Sequence, residues 1–257
     1  MAYKKLKYWF DKNLAELISQ KLKANGTNFN EEDFIKSIDR NVVDLELKDR
    51  VELIADELYL RLDKDYKKGI VKLMDILGPE NEKETGMFTE FYWIMPIAKY
   101  VEKYGLNDFE ISMIAIEKIT KRNTGEYTIR PFIEKDLKKT MQQMMIWSVN
   151  PNKHVRRLSS EGVRPRLPWA KKLDIFIENP KPIIPILNNL KDDPSKYIQK
   201  SVANCINDIF KDNYDVGKEL IESWNGKQIS KERKWIIKHA LRNLLKENNN
   251  WAIEMTN

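Results

Sequence analysis

Apolar residues recur at i, i+3 and i+4 along most of the chain, and short polar breaks rich in Asn, Gly and Pro interrupt the pattern. The breaks fall at Asn25-Gly26, Gly78-Pro79, Gly105, Asn123-Thr124-Gly125, Asn150-Pro151-Asn152, Asn179-Pro180, Asp192-Asp193-Pro194 and Asn225-Gly226. The segments between them read as helix pairs. Val51, Ile54, Ala55, Leu58 and Leu62 form one apolar stripe, and Ile111, Ile114, Ala115 and Ile119 form another; both are predicted core faces. Ser230 is placed to cap a last long helix carrying Trp235, Ile236, Ala240, Leu241 and Leu244. Trp93, Trp147 and Trp235 sit at helical spacing among apolar neighbours and are expected in the core.

A repeat is visible in the second half. NPNKHVRRLSSEG, from Asn150 to Gly162, aligns with DPSKYIQKSVANC, from Asp193 to Cys205, at an offset of 43 residues. Pro151 then meets Pro194, His154 meets Tyr197 and Val155 meets Ile198. That period lies in the range of HEAT and armadillo repeats, where stacked helix pairs curve to present a concave surface. The expected fold class is all-α: a superhelical array of antiparallel HEAT-like helix pairs, curved, with a basic concave face. One domain over residues 1–257 is expected, with no additional C-terminal domain.

Composition agrees with helices, since Gly and Pro number only 9 and 10 in 257 residues. A lone Cys205 cannot form an internal disulfide, and with His154 and His239 as the only histidines no Cys/His zinc constellation can be built. The first 23 residues interleave charge with apolar side chains, and no run reaches membrane-spanning length. A cytoplasmic protein is expected. Residues 1–90 hold 16 Lys/Arg against 19 Asp/Glu, whereas residues 91–257 hold 29 against 20. Cations gathered in one half suit a polyanionic partner such as nucleic acid.

The densest chemistry lies in HVRRLSSEGVRPRLPW, His154 to Trp169. As a helix from about Lys153 to Gly162, it places Val155, Leu158 and Gly162 on one side and His154, Arg157 and Glu161 on the other. Arg164 and Arg166 then alternate with Pro165 and Pro168 ahead of Trp169, a stiff connection that limits where the guanidinium groups point. Two readings stand side by side: a preorganised phosphate corner, or a surface ion pair of Arg157 with Glu161 worth a few tenths of a kcal/mol.

The same string resembles the RRLASEG-x-RPRLPW signature of the bacterial HEAT-like alkylation-repair DNA glycosylases of the AlkC/AlkD type, and is closest to the AlkC branch. ETGMFTEFYWIMPIAKYVEKYGL (84–106), GEYTIRPF (125–132), SVANCINDIFKD (201–212) and WIIKHALRNLLK (235–246) accompany it. The resemblance implies a monomeric enzyme that binds double-stranded DNA containing alkylated bases. It implies hydrolysis of the N-glycosidic bond of cationic lesions, 3-methyladenine first and 3-methylcytosine as a second candidate, without metal or cofactor. Carried over by motif, Glu161 and Glu126 are the catalytic carboxylates and Trp169 contacts the deoxyribose. Arg156, Arg157, Arg164 and Arg166, with Lys200 and Lys238, are the DNA-binding candidates. The chain departs from the pattern at Gly125-Glu126-Tyr127-Thr128, at Ser159 in place of Ala, and at Gln199 in place of a frequent Arg that would contact phosphate. Glu126 beside a helix start and Trp169 before the next helix also have purely structural readings, as a dipole-favoured acid and a core side chain. A family member that binds DNA without chemistry and a HEAT-type scaffold holding a peptide are the alternative function classes.

Overall fold

The structure, a computed structural model, describes residues 4–62, 64–86, 88–226 and 228–256. Met87, within one of the motifs above, lies outside them. All regular structure among the described residues is helical. The chain divides into two compact units, Met1–Thr128 and Ile129–Asn257. None of the helices described is long and apolar enough to cross a membrane.

The first unit holds α1 (Lys12–Ala24), α2 (Glu31–Asn41), α3 (Leu47–Arg61), α4 (Tyr66–Asp75), α5 (Phe88–Phe91), α6 (Met95–Tyr104) and α7 (Phe109–Thr120). Asp11, Asn30 and Asp65 accept backbone N–H groups at the starts of α1, α2 and α4, removing orphan donors there. The stripe predicted on α3 is buried throughout and packs on α6. Between these helices the Tyr59 and Tyr104 rings stack at 3.9 Å, and Tyr104 donates to Asp56 at 2.6 Å. The stripe predicted on α7 holds in part. Ala115 and Ile119 of that stripe are buried, but Ile114 is 53% exposed, and Ser112, Met113 and Ile116 face inward beside them. Ser112 can be buried because its hydroxyl meets Tyr66 Oη at 2.7 Å and donates to the Gly105 carbonyl at 2.9 Å, so a polar position that pattern alone assigns to solvent belongs to the core.

The second unit holds α8 (Arg130–Lys135), α9 (Leu137–Trp147), α10 (Lys153–Glu161), α11 (Asp174–Glu178), α12 (Ile184–Leu190), α13 (Lys196–Asp212), α14 (Tyr214–Trp224), α15 (Lys231–Ala240), α16 (Arg242–Lys246) and α17 (Asn250–Thr256). Helices α10, α13 and α15 make a row, each packed on the next, with α9 against α10 and with α12 and α14 against α13. The repeat holds in register, since α10 begins at Lys153 and α13 at Lys196, each after an extended residue. The predicted last long helix is broken at Leu241. The Ala240 carbonyl accepts from Asn207 Nδ2 at 2.8 Å and the His239 carbonyl from Arg242 Nη1 at 2.7 Å, so side chains compete for the acceptors a continuous helix would use. Trp147 is core, as is Trp93 in the first unit, but Trp235 is only half-buried.

The repeat also explains two residues of the sequence reading. Arg156 donates to the carbonyls of Asn150 and Pro151, both at 2.9 Å, and Gln199, one repeat later, donates to those of Asp193 and Pro194 at 2.9 and 3.4 Å. Both side chains clamp the turn ahead of their own helix. Gln199 is buried, so the loss of an arginine there alters a turn clamp and not an exposed cation. Arg156 has a further bond, from Nε to Asp193 at 2.7 Å, and Arg233 on α15 reaches the adjacent Asp192 at 3.0 Å. The Asp192-Asp193 turn thus receives an arginine from the repeat on each side.

Candidate active site

Asn152 starts α10 by accepting the His154 and Val155 N–H groups, and Val155 and Leu158 anchor one face in the core. The rest of the helix is also buried, which amphipathic patterning does not reveal: Ser159 beside Val155, and His154, Ser160 and Glu161 on the other faces, all lie inside. His154 packs edge-on to Tyr197, their centroids 5.7 Å apart. Ser159 satisfies its hydroxyl on the Arg156 carbonyl at 2.7 Å. Gly162 ends the helix where a Cβ would meet Ile129 at 2.6 Å, so only glycine lets the chain pass.

Glu161 is 5% exposed. Its Oε1 accepts from Arg164 Nη1 at 2.7 Å and its Oε2 from the Ser201 hydroxyl at 2.6 Å, with Arg157 Nη2 at 3.6 Å. Arg164 also donates through Nε to Asp208 at 2.9 Å, and Lys211 on the rim reaches the other oxygen of Asp208 at 2.9 Å. Asp208 is 1% exposed. Burial by itself would raise the Glu161 carboxyl, but Arg157, Arg164 and the Ser201 hydroxyl outweigh it and hold that group below the usual carboxylate range. Burial opposes the charge on Arg164 too, and Glu161 and Asp208 more than restore it. One buried guanidinium thus serves two carboxylates. Arg157 beside Glu161 and Lys211 beside Asp208 complete the cluster, so both carboxylates are held in place among cations and shielded from water.

After α10 the chain runs through Arg166 to Trp169. Arg166 grips Asp212 with two bonds, 2.7 and 2.6 Å, near the surface. Leu167 and Leu173 are buried on either side of Trp169, and the Leu173 N–H closes on the Pro165 carbonyl at 3.1 Å. Arg130, buried on α8, donates to the carbonyls of Gly162, Arg164 and Lys171 at 3.2, 2.9 and 2.6 Å, tying down both ends of the connection. Between these anchors Trp169 is 82% exposed with φ of +67°. It is therefore not a core residue. A non-glycine residue in the left-handed region costs on the order of 1–3 kcal/mol, and such strain concentrates at functional positions. Trp169→Ala and Trp169→Gly both remove the ring, but only glycine relieves the backbone. Trp169→Gly is expected to be the more stable of the two by about 1 kcal/mol in thermal unfolding; equal stability would mean the positive φ carries no strain.

The structure thus joins Glu161, Arg157 and Arg164 in one network and places Trp169 on a loop braced against it. Arg156 lies apart as a turn clamp. Lys200 and Lys238 are exposed on α13 and α15. Glu126 belongs to the other unit, in a turn where its carboxylate accepts from the Thr124 hydroxyl at 2.9 Å. Sequence reasoning missed Arg130, Ser201, Asp208 and Asp212, although each stands inside a motif it quoted: the Arg of IRPF, and the Ser and two Asp of SVANCINDIFKD. An arginine next to proline at a helix start, and the only two acids on a helix with three lysines, are the signals by which they could have been found.

No protein-family model matches the chain. YhaZ of Bacillus subtilis (strain 168), an uncharacterized protein, is 36% identical over 244 residues, covering 93% of this chain; the chain spans 65% of YhaZ's length. The solved structure of Pseudomonas fluorescens alkylpurine DNA glycosylase AlkC, bound to DNA containing an abasic site analog, matches with a TM-score of 0.88 and 33% identity. That match covers 99% of this chain and 68% of the AlkC chain. Sharing a third of its residues and its backbone path with AlkC over nearly its whole length, the chain belongs to the AlkC family and has its HEAT-like fold.

Proposed function

We propose that this protein is a DNA glycosylase of base excision repair that hydrolyses the N-glycosidic bond of cationic alkylated bases in duplex DNA, 3-methyladenine first among them. The observation that carries the reading is Glu161, a buried carboxylate held ionised by its neighbours inside the motif shared with the glycosylase family. A 3-alkylated adenine is already positive and leaves as a neutral base. The C1′–N bond breaks with its electrons going to the base, water adds to C1′, and one proton is released to solvent. What needs stabilising is the oxocarbenium character of the sugar, and a fixed negative charge supplies that without reorganising during the reaction.

In this reading Glu161 stabilises the sugar cation, and Trp169 offers an aromatic face to the deoxyribose, where cationic character develops. Glu126 is a second carboxylate, supported by its motif. Arg157, whose guanidinium lies 4.6 Å over the Tyr197 ring and beyond hydrogen-bond distance of Glu161, turns to a backbone phosphate, as do Arg166, Lys200 and Lys238. Arg164 holds Glu161 in place, and Arg156 holds its turn. The protein acts as a cytoplasmic monomer without metal or cofactor. The test is to incubate purified protein with methylated duplex DNA and identify the free bases by mass. Release of 3-methyladenine, and any 3-methylcytosine beside it, is the expected result; DNA bound with no base released would favour a family member that binds without chemistry.

A further inference from the structure

Lys200, read above as a phosphate contact, lies in a cluster whose other members take no part in the proposed chemistry. Lys196 and Lys200 lie one turn apart on α13, Trp235 and His239 one turn apart on the neighbouring α15, and Arg242 opens α16. The Lys196 ammonium lies 3.2 Å from the centroid of the Trp235 ring, and that ring stacks on His239 at 4.7 Å with an interplanar angle of 14°. Lys196 also donates to Gln199 Oε1 at 3.2 Å, and Arg242 to Asn204 Oδ1 at 3.1 Å. Burial, and then the nearby Arg242, Lys200 and Lys196, hold the His239 imidazole below its usual value. Arg156, Arg164, Arg166, Lys171, Lys211 and Arg233 of the same unit all have carboxylate partners. Among the described residues, Lys196, Lys200 and Arg242 have none within ion-pair distance; Glu232 and Asp208 act on them only from further away.

Three cations around an imidazole whose charged form is disfavoured repel one another and have no carboxylate within ion-pair distance. The indole is engaged by Lys196 and His239, so its part is to hold the ammonium still, which lowers the ordering cost of a later contact. Permanent cations with no hydrogen-bond acceptor among them suit a phosphate and do not read a base edge. We propose that Lys196, Lys200 and Arg242, set around the Trp235–His239 stack, form a station for the phosphodiester backbone of duplex DNA. The inference rests on the DNA reading above and adds to it residues that the carboxylate network does not use.

His239 is one of only two histidines and so serves as a native reporter. Its imidazole resonances, followed by NMR, should move when a short undamaged DNA duplex is added to the full chain. They should move far less with inorganic phosphate at equal phosphate concentration. The double variant K196Q/K200Q should bind that duplex with a salt slope smaller by roughly 1.8, about 0.9 for each phosphate no longer neutralised. K218Q/K231Q, which removes the same charge from lysines that face Glu222 and Glu232, should leave the slope unchanged. A response to inorganic phosphate as large as to duplex would overturn the DNA assignment in favour of a small-anion site. Duplex binding and base excision with His239 unmoved and the K196Q/K200Q slope unaltered would overturn this station, the phosphate role of Lys200 included, and leave the glycosylase activity standing. A parent protein that binds no duplex would overturn both.

Discussion

Glu161→Gln is expected to lower the single-turnover rate of 3-methyladenine excision by roughly a hundredfold to a thousandfold while duplex affinity stays within a few-fold of the parent protein. Glutamine keeps the shape and one acceptor oxygen but removes the charge, and electrostatic stabilisers of this type are commonly worth about 2.7–4 kcal/mol. Arg164 retains Asp208 as a partner in that variant, so the network loses a charge without losing its guanidinium. An effect on rate with affinity preserved separates transition-state stabilisation from DNA binding. Glu126→Gln, made alone and in combination, tests the motif-based assignment of that carboxylate by the same single-turnover rate. Full excision by the folded double variant would return Glu161 to a structural ion-pair role and Glu126 to a turn acid.

The second large effect falls on stability. Arg164→Ala leaves Glu161 and Asp208 buried without their shared guanidinium, and breaking a buried pair by removing one partner costs about 3–5 kcal/mol. For a unit the size of Ile129–Asn257, that corresponds to a fall in melting temperature on the order of ten degrees. Arg166→Ala, which breaks a bidentate but surface-lying pair with Asp212, should cost no more than about 1 kcal/mol. The pH dependence has a definite sign. In the parent protein the Glu161 carboxyl lies below its unfolded value, so its contribution is present above the ordinary glutamate range and is lost as pH falls toward the folded value. Without Arg164 the carboxyl keeps Arg157 and the Ser201 hydroxyl but is lowered less, so the variant has less of this contribution to lose and acidification narrows the difference between the two proteins. A gap that widens on acidification, measured by thermal unfolding, would contradict this account.

Much of the fold was legible because helix periodicity and Asn/Pro turns are local signals, and the offset between Asn150 and Asp193 carried through to the structure in register. What pattern could not supply was the inward polar layer. Ser112, Ser160, Glu161, Ser201 and Asp208 are buried because each finds a partner on another element, and no local window contains those partners. The same limit put Ile114 inside the α7 stripe and extended the last helix through Leu241. At the site, the motif identified Glu161 and Trp169, but whether an arginine in RPR points to solvent or inward is decided by an aspartate 44 residues later. Arg164 and Arg166, two positions apart and alike in sequence context, therefore have different surroundings.

In a stack of repeats, stability is a sum of terms internal to each repeat and terms between neighbours. The Asp192-Asp193 turn, holding Arg156 from one side and Arg233 from the other, makes the between-neighbour terms large at the middle of the α10–α13–α15 row. The Gln199 clamp, by contrast, acts only within its own turn. Opening of α10 or α15 from the row must release an arginine from that turn as well as separate apolar surface. Cooperativity in this half of the protein is thus tied to two adjacent acids in a loop, and the loop works as a coupling that lets three helices yield together instead of fraying one at a time.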